Sequence, residues 1–374
     1  MKIGIMTYHR AENYGALLQA YATMTYLRGL GHDVSFVDYW PKYHSDYFQL
    51  FPWHQFKKRS YLGRITFGVQ LLLWAIPRFI RKKRLRSFIY DNFGVTTKPL
   101  YTNDHCKTEK FDIVVYGSDQ IWRKQHLGGV DFDAWYFGSE NVQAEKKIVY
   151  AGSMGVVDTT AQDNAYVQKM MKNFSEISVR ESDLQSYLAR LGISTSLVVD
   201  PVFLLSKEQW LHVANKHAGD KGKYILFYNL LNTRESMLFA KRLSKEQHLP
   251  ILEINKRMTF KHIGEKCIMT ASVEEFLQLI NDAEYVVSNS FHGAAMSLIL
   301  EKQFYAVGMH KKSNRVKSLL QSAGIPERYI ESGSYYTPGQ TIDYTEVSKV
   351  LHQLSNDSKL FFQQSISEYD GAKG

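Results

Sequence analysis

The chain has 374 residues, of which 44% are hydrophobic and 22% are charged, and its formal net charge is +9 at pH 7. This composition is typical of a globular protein and excludes a chain that is disordered throughout. The length exceeds the usual limit of a single hydrophobic core, so it predicts two domains.

The cysteine and hydropathy patterns bear on where the protein works. Cys106 and Cys267 are the only cysteines, and two thiols so far apart predict a reducing compartment instead of a disulfide framework. Lys2–Tyr8 has the pattern of a buried strand and not of a signal peptide. The apolar run Ile65–Ile76 is shorter than the roughly 20 residues that span a bilayer. We therefore expect a cytoplasmic protein with no membrane-spanning helix, attached at most to the inner face of the plasma membrane.

The first half of the chain alternates between strand and helix patterns. Apolar runs predict strands at Ile3–Tyr8, Val34–Tyr39, Phe111–Tyr116, Ile148–Ala151, Ile177–Val179 and Leu197–Val199. Between the first two strands, apolar residues from Leu17 to Leu27 recur at helical spacing, and Gly29 ends that helix.

A second series of the same kind follows Asp200-Pro201. Capping boxes predict two helix starts, at Ser206 with Gln209 and at Ser272 with Glu275. Further strands are predicted at Tyr224–Asn229, Ile251–Ile254, Tyr285–Val287 and Phe304–Val307.

This alternation predicts an α/β protein with two doubly wound domains, each a parallel sheet with helices on both faces. We expect the domains at residues 1–200, with a basic helical insertion at about 42–95, and at 201–345. A helical tail at 346–374 is expected to pack back on one of them. Ligands of such sheets bind at the carboxyl ends of the strands, so chemistry is expected in the loops that follow strands.

The insertion carries a dense basic segment between residues 57 and 86. Its basic residues are Lys57, Lys58, Arg59, Arg64, Arg78, Arg81, Lys82, Lys83, Arg84 and Arg86, interleaved with large apolar side chains. A segment of this kind favours contact with an anionic membrane surface. The alternatives are a helical insertion packed on its own domain and a nucleic-acid site, although no nucleic-acid-binding module is recognisable.

The turn after the first predicted strand is a candidate ligand site. Gly15 allows close backbone approach, and the N–H groups of a new helix favour anions. The segment does not match the dinucleotide-binding pattern of glycines. We predict ligand contacts from Asn13, Tyr14, Gly15 and Gln19, with close helix–sheet packing at Gly15 as the alternative.

Gly117–Trp122 directly follows another apolar strand. Asp119 could hold a sugar hydroxyl or act as a base, and Trp122 offers an apolar face to a sugar ring. The alternative for Asp119 is to cap a helix. Gln120 lies between them and is also a candidate for acceptor binding.

Arg180 follows a strand and precedes a predicted helix, a position that suits a guanidinium fork to phosphate or carboxylate. The alternative is a structural ion pair with Glu181, Asp183 or Asp200. For Asp200 we favour the structural role of orienting Arg180 or capping the turn between the domains.

The segment Val286–Ala295 contains a candidate phosphate site. Ser290, together with the N–H groups of Gly293 and Ala294 at the start of a helix, predicts a phosphate cradle. His292 lies at its edge, where it can donate a proton or bind a phosphoryl oxygen.

A basic loop follows the next strand, at Lys311-Lys312-Ser313-Asn314-Arg315. Asn314 and Arg315 could close on the same anion as the phosphate cradle. We expect Lys311 and Lys312 to be solvated.

These motifs in this order resemble those of the polysaccharide pyruvyl transferase family. The motifs are Asn13-Tyr14-Gly15-Ala16, Gly117-Ser118-Asp119-Gln120-Ile121-Trp122, Ser178-Val179-Arg180-Glu181, Asp200-Pro201 and Ser290-Phe291-His292-Gly293. The resemblance covers roughly residues 1 to 325, whereas the basic insertion and the C-terminal tail carry no matching motif.

The resemblance implies two Rossmann-like domains facing a cleft, as in glycosyltransferases of the B-type fold. It also implies phosphoenolpyruvate as donor, with no other cofactor, and a saccharide acceptor such as a lipid-linked repeat unit. The product would be a pyruvate ketal, with phosphate released. The family's essential arginine and histidine would be Arg180 and His292.

Within that chemistry we assign His292 as acid and phosphate contact and Asp119 as base, two roles that are interchangeable. Arg180 and Arg315 are the expected anion clamps. No spacing of His, Cys and carboxylates suggests a metal. The alternatives are a nucleotide-sugar-dependent glycosyltransferase of the same fold and a non-catalytic saccharide-binding protein.

Overall fold

The computed structural model describes residues 1–48, 53–94, 100, 107–124, 132–214, 222–255, 262–308, 313–331 and 341–371. Cys106, Lys311, Lys312 and the predicted end of the insertion at residue 95 lie outside these residues.

In the described part of the chain, twelve strands form two sheets of six, and every strand pair there is parallel. The first sheet has the order β2-β1-β3-β4-β5-β6, with β1 Lys2–Met6, β2 Asp33–Phe36, β3 Phe111–Tyr116, β4 Ala144–Gly152, β5 Glu176–Val179 and β6 Ser196–Leu197. The second has the order β12-β11-β10-β7-β8-β9, with β7 Ile225–Asn229, β8 Ile251–Asn255, β9 Lys266–Ile268, β10 Tyr285–Ser288, β11 Gln303–Val307 and β12 Tyr329–Ile330.

The helices connect these strands and flank the sheets. They are α1 Tyr14–Gly29, α2 Lys42–Tyr47, α3 Trp53–Lys57, α4 Tyr61–Leu73, α5 Ala75–Phe93, α6 Ala161–Met170, α7 Ser182–Arg190, α8 Lys207–Val213, α9 Arg234–Gln247, α10 Val273–Asp282, α11 Phe291–Ile299, α12 Asn314–Ser322 and α13 Tyr344–Gly371. Within the described residues, no helix combines the length and the apolarity needed to cross a bilayer.

The predicted fold class is confirmed, because each half of the chain forms its own parallel sheet. The strand predicted at Phe111–Tyr116 is confirmed at both ends, and both predicted capping boxes are present. The short edge strands β9 and β12 were not predicted, since their few residues carry too little apolar pattern. The domain boundaries at residues 200 and 345 stay a prediction.

Helix α13 joins the two halves of the molecule. The Tyr344 hydroxyl donates to the carbonyl of Lys302 in the second half (2.5 Å). Farther along, the Phe362 ring stacks on Tyr150 of β4 at a centroid distance of 4.4 Å. Ser355 donates to the carbonyl of Phe203 (2.6 Å). The last helix therefore contacts residues of both halves. Its buried side chains belong to a hydrophobic core that the two halves share.

Candidate active site

Arg180 is the centre of a buried charged group where the carboxyl ends of the two sheets meet. Its Nη1 atom pairs with the Asp200 carboxylate and donates to Ser118 Oγ (2.9 Å). Its Nε donates to Glu181 Oε1 (3.2 Å), an atom that also accepts from the Ser153 hydroxyl (2.6 Å). The ion pairs expected with Asp200 and Glu181 are present, and they fix the guanidinium in one orientation.

Hydrogen bonds through the Gln19 side chain hold Ser118 in place. The Gln19 side chain accepts from the Ser118 N–H (3.0 Å) and donates to Thr7 Oγ1 and to the Ala16 carbonyl (both 2.9 Å). Gln19 is fully buried, so its predicted contact with an acceptor is wrong. It instead ties helix α1 to the loops after β1 and β3.

His292 reaches this group from the second domain, in the first turn of α11. Its Nε2 atom lies 3.7 Å from Asp200 Oδ2. The imidazole packs on Gly15 so closely that a Cβ atom on Gly15 would lie 2.1 Å from His292 Nδ1. Gly15 therefore allows close approach of His292, the catalytic candidate from the other domain. The sequence did not predict this reason for a glycine at position 15.

Arg315, at the start of α12, completes the group. Both arginines lie near the Phe291 ring, whose centroid is 5.5 Å from Arg180 Cζ and 5.4 Å from Arg315 Cζ. Arg315 Nε is 3.8 Å from Glu181 Oε1, which is too long for a hydrogen bond. Each arginine thus makes a cation–π contact with the same ring, which offsets part of the repulsion between the two like charges. We call Arg180, Glu181, Asp200, His292 and Arg315 the arginine cluster.

Burial and mutual charge shift the pKa values in the arginine cluster. Burial lowers the pKa of His292 to about 4, although Asp200 opposes the shift, so the imidazole is neutral at pH 7. Burial also lowers the pKa of Arg315, and Arg180 adds to that effect. Burial opposes the charge on Arg180, but Asp200 and Glu181 outweigh it and raise the pKa. Neighbouring carboxylates thus compensate the positive charge of Arg315 less than that of Arg180.

Asp119 is half-buried and lies at the edge of the arginine cluster. Its charge raises the pKa of His292, against the dominant effect of burial. Its Oδ1 accepts from the N–H of Gln120 (2.7 Å). Residues 118–123 form bends and turns, so the alternative of a helix cap is wrong. The structure therefore brings Asp119 and His292 together, while their division of roles stays a prediction.

Four buried polar atoms of the arginine cluster have no hydrogen-bond partner among the described residues. They are Arg180 Nη2, Glu181 Oε2, His292 Nε2 and Arg315 Nε. A buried donor or acceptor without a partner costs about 1–3 kcal/mol. This concentration of unpaired groups from two domains makes the arginine cluster the candidate binding site.

The sequence matches the profile of the family described as Polysaccharide pyruvyl transferase over residues 13–311. The chain belongs to this family. The match includes every motif of the candidate site up to His292 and stops before Arg315. No curated protein matches the sequence.

Several solved structures resemble this pyruvyl transferase family member at low identity. A UDP-GlcNAc 2-epimerase from Methanocaldococcus jannaschii has 12% identity and a TM-score of 0.45, with 95% of this chain and 93% of that chain covered. A UDP-N-acetylglucosamine 2-epimerase from Rickettsia bellii has 13% identity, a TM-score of 0.44 and coverage of 99% and 96%. A heptosyltransferase from E. coli with ADP has 12% identity, a TM-score of 0.40 and coverage of 98% and 100%. At these values the similarities carry no argument about activity.

Three other residues predicted to bind the acceptor have structural roles in this member of the pyruvyl transferase family. Trp122 is fully buried, and its indole N–H donates to the Tyr136 carbonyl (2.9 Å), so it offers no face to a sugar. Tyr14 is buried and donates to the Ala271 carbonyl of the second domain (2.7 Å). Asn13 caps α1, where its Oδ1 accepts from the Gly15 N–H (3.0 Å). Gln120 is half-buried, and acceptor contact there stays a prediction.

The predicted phosphate cradle is only partly as expected. Helix α11 begins at Phe291, and the Ala294 N–H donates to the Ser290 carbonyl (3.1 Å), so that N–H is not available to a phosphate. A Cβ atom on Gly293 would lie 2.1 Å from Ser288 Oγ, so this glycine is required by packing. The Ser290 hydroxyl interacts with Tyr228. Phosphate contacts from Ser290 and Gly293 stay a prediction.

Asn314 does not join the arginine cluster. It is exposed, and its Nδ2 donates to Asp183 Oδ2 on the first domain (3.3 Å). Sequence reasoning also missed Phe291 as the ring that both arginines contact, because nothing in its local pattern distinguishes it from a core residue. Within the described residues, no group of three or more His, Cys, Asp and Glu side chains could hold a metal ion.

Proposed function

We propose that this protein transfers a pyruvyl group from phosphoenolpyruvate to a saccharide as a ketal and releases phosphate. The observation that supports it is the set of buried nitrogen atoms on Arg180, His292 and Arg315 that have no hydrogen-bond partner among the described residues. Phosphoenolpyruvate carries a phosphate and a carboxylate on adjacent atoms, and charge-assisted hydrogen bonds from guanidinium and imidazole groups suit both.

The two arginines would have different tasks. Arg180 is held by Asp200, Glu181 and Ser118 and has one free nitrogen to offer, so it would act as a fixed point. Among the described residues, Arg315 contacts the Phe291 ring and lies 3.8 Å from a Glu181 carboxylate oxygen, too far for a hydrogen bond, so it would move to close on the anion. An incoming anion would also relieve the mutual repulsion of the two cations.

The reaction balances with one proton donor and one base. Protonation of the methylene carbon creates an oxocarbenium-like centre, and a sugar hydroxyl adds to it and loses its proton. The C–O bond to phosphate breaks, and a second hydroxyl closes the ketal. One proton ends on the new methyl group and one on the released phosphate.

His292 fits the proton donor of this scheme once the anion is bound. Its pKa of about 4 leaves the imidazole neutral in the free protein. Negative charge beside it favours the imidazolium, so bound donor would raise that pKa. Asp119 would take the hydroxyl protons as general base. Exchanging the two roles keeps the same balance.

The test is the thermal unfolding of the full chain with millimolar phosphoenolpyruvate, with inorganic phosphate, and with UDP-N-acetylglucosamine. Arg315→Gln removes the mobile cation, and Arg242→Gln removes an exposed arginine on α9 as the matched control. A ligand at about 100 times its Kd stabilises the folded state by about 2.7 kcal/mol.

We expect phosphoenolpyruvate to raise the melting temperature of the wild type and of Arg242→Gln, with little or no rise in Arg315→Gln. Stabilisation by the nucleotide sugar alone would contradict the proposal and favour the glycosyltransferase alternative. A rise that Arg315→Gln retains in full would place the donor elsewhere.

A further inference from the structure

An apolar stripe runs along α4 and into α5. It comprises Leu62, Ile65, Val69, Leu72, Ile76 and Phe79, which follow one another at helical spacings of three and four residues. Each of these side chains is between 50% and 79% exposed. The Trp74 N–H donates to the Gln70 carbonyl and the Arg78 N–H to the Trp74 carbonyl, so helical bonding continues across the junction of the two helices.

Exposed apolar surface is concentrated in this part of the molecule. Of the seventeen exposed large hydrophobic side chains among the described residues, eleven lie between Trp53 and Tyr90. Scattered exposed apolar residues are normal, but a contiguous group marks an interaction surface.

Basic residues flank the apolar stripe at both ends. Residues 57–86 contain ten Lys and Arg and no Asp or Glu, a charge of +10 against +9 for the whole chain, so the remaining residues sum to −1. At the amino end, Arg64 donates to the backbone carbonyls of Lys57 and Arg59, contacts that leave its charge uncompensated. Lys57, Lys58 and Lys83 are exposed.

The second half of α5 anchors this surface to both domains. Leu85, Phe88 and Phe93 are buried in the core. Lys82 pairs with Glu12 (3.0 Å), which lies directly before the loop of Asn13 and Gly15. Arg84 pairs with Glu275 of α10 (2.6 Å). The apolar stripe is thus rigidly connected to the wall of the candidate active site, whereas α4 itself packs chiefly on α3 and α5.

We propose that the apolar stripe docks on an anionic lipid bilayer. A helix with apolar residues on one side and Lys and Arg beside them lies in the interface, with its apolar side chains at the boundary of headgroups and acyl chains. The flanking basic side chains extend to the lipid phosphates. Docking through the apolar stripe places the candidate active site at the membrane, where it meets a lipid-linked acceptor.

The test is flotation of the full chain with vesicles of phosphatidylcholine alone and of equal parts phosphatidylcholine and phosphatidylglycerol. The double variant Leu62→Glu/Leu72→Glu places charges in the apolar stripe. Its matched control is Leu238→Glu/Leu360→Glu, at two similarly exposed leucines on α9 and α13. Circular dichroism melting checks that both variants are folded.

We expect the wild type and the control to float with the anionic vesicles, less so at high salt. The stripe variant should bind at least about tenfold more weakly. Changing Lys57, Lys58 and Lys83 to Gln should also weaken binding by about tenfold or more.

Three results would overturn the inference. One is a wild type that does not float, and another is a stripe variant that floats equally well. The third is a wild-type dimer that the stripe variant splits. Binding of a DNA duplex without binding of vesicles is a case of the first result. Flotation requires neither donor nor acceptor, so its failure would leave the proposed pyruvyl transfer standing.

Discussion

Two buried polar clusters lie at the carboxyl ends of the strands, and they differ in how fully their hydrogen bonds are made. In the second domain, Glu253 accepts from the side-chain amides of Asn229 and Asn255 and from the N–H groups of Ile263 and Gly264. We call Glu253 with its asparagine neighbours Asn229, Asn255 and Asn289 the asparagine cluster. Glu253 has no acceptor capacity left for a ligand.

Asn289 in the asparagine cluster is equally complete. Its Oδ1 accepts from the N–H groups of Leu230 and Leu231, and its Nδ2 donates to Asn229 Oδ1 and Ser236 Oγ. The arginine cluster, by contrast, leaves polar atoms on four of its five residues without a partner among the described residues. Beside the asparagine cluster, Asn232 accepts from Asn229 and Asn255 through its Oδ1 and has an unpaired Nδ2 among the described residues. Burial of polar groups is thus common to both clusters, which differ in the number of unpaired atoms that they bring together.

The largest effect is expected at His292. His292→Gln keeps a polar side chain of similar size but cannot exchange a proton at neutral pH. We expect pyruvyl transfer to fall about a thousandfold, since general acid catalysis contributes about 10²–10⁴ in rate. The rate is measured as phosphate released from phosphoenolpyruvate with a saccharide acceptor, and the melting temperature should change little. A variant with near wild-type turnover would remove His292 from the mechanism.

The asparagine cluster should respond in the opposite way. Glu253→Gln puts an NH₂ group against N–H donors, so we expect the free energy of unfolding to fall by about 3 kcal/mol. Urea denaturation measures the loss, with exposed Glu346→Gln as control. Binding of phosphoenolpyruvate to the folded variant should be unchanged. A stable variant with weakened binding would show that the cluster serves the donor directly.

The pH dependence of stability isolates His292 within the arginine cluster. Its pKa is lowered from 6.5 to about 4 in the folded protein, so between these values the unfolded chain binds the proton and the native protein does not. Stability is therefore lost as the pH falls through this range, by at most about 3 kcal/mol. Unfolding free energies from pH 7 to 4 should fall less steeply in His292→Gln. Parallel profiles would mean that the imidazole titrates normally.

The smallest effect is expected from two Gly→Ala substitutions in α1. Their comparison separates the contact with His292 from the change in helix propensity. Gly15→Ala places a methyl group against the His292 imidazole, and we expect turnover to fall about tenfold because a small displacement of a catalytic group is costly. Gly29→Ala, at the other end of the same helix, meets nothing within 4 Å and should be neutral or stabilise by about 0.5–1 kcal/mol. Equal turnover of the two variants would show that the close contact has no role in catalysis.

Local patterns in the sequence were sufficient for most of the fold. A capping box such as Ser206 with Gln209 is formed by residues three apart, and Phe111–Tyr116 is bounded by polar residues on both sides. Elements of this kind can therefore be predicted from neighbouring residues alone. The edge strand β12 has two residues, too few for any periodicity to show.

The site was predictable in its charged residues but not in its packing. Arg180, His292 and Arg315 follow strands and were recognised by position and charge. The Tyr14 hydroxyl finds its acceptor 257 residues along the chain, a contact that no local pattern records. Local pattern also failed for Trp122, which was predicted to contact a sugar ring. An indole beside a loop can equally well pack in the hydrophobic core, as it does here. Burial depends on the tertiary fold, and residue type alone does not determine it.

Helix α13 affects how the two sheets can move against each other. The chain passes from the first sheet to the second after β6 and returns along α13, whose ends contact the second and first halves respectively. Besides these two links, one continuous buried core joins the two halves, and it includes Phe362 of α13 and Tyr150 of β4. Sliding or twisting of one sheet against the other would therefore break the stacking of Phe362 on Tyr150 and expose part of that shared core.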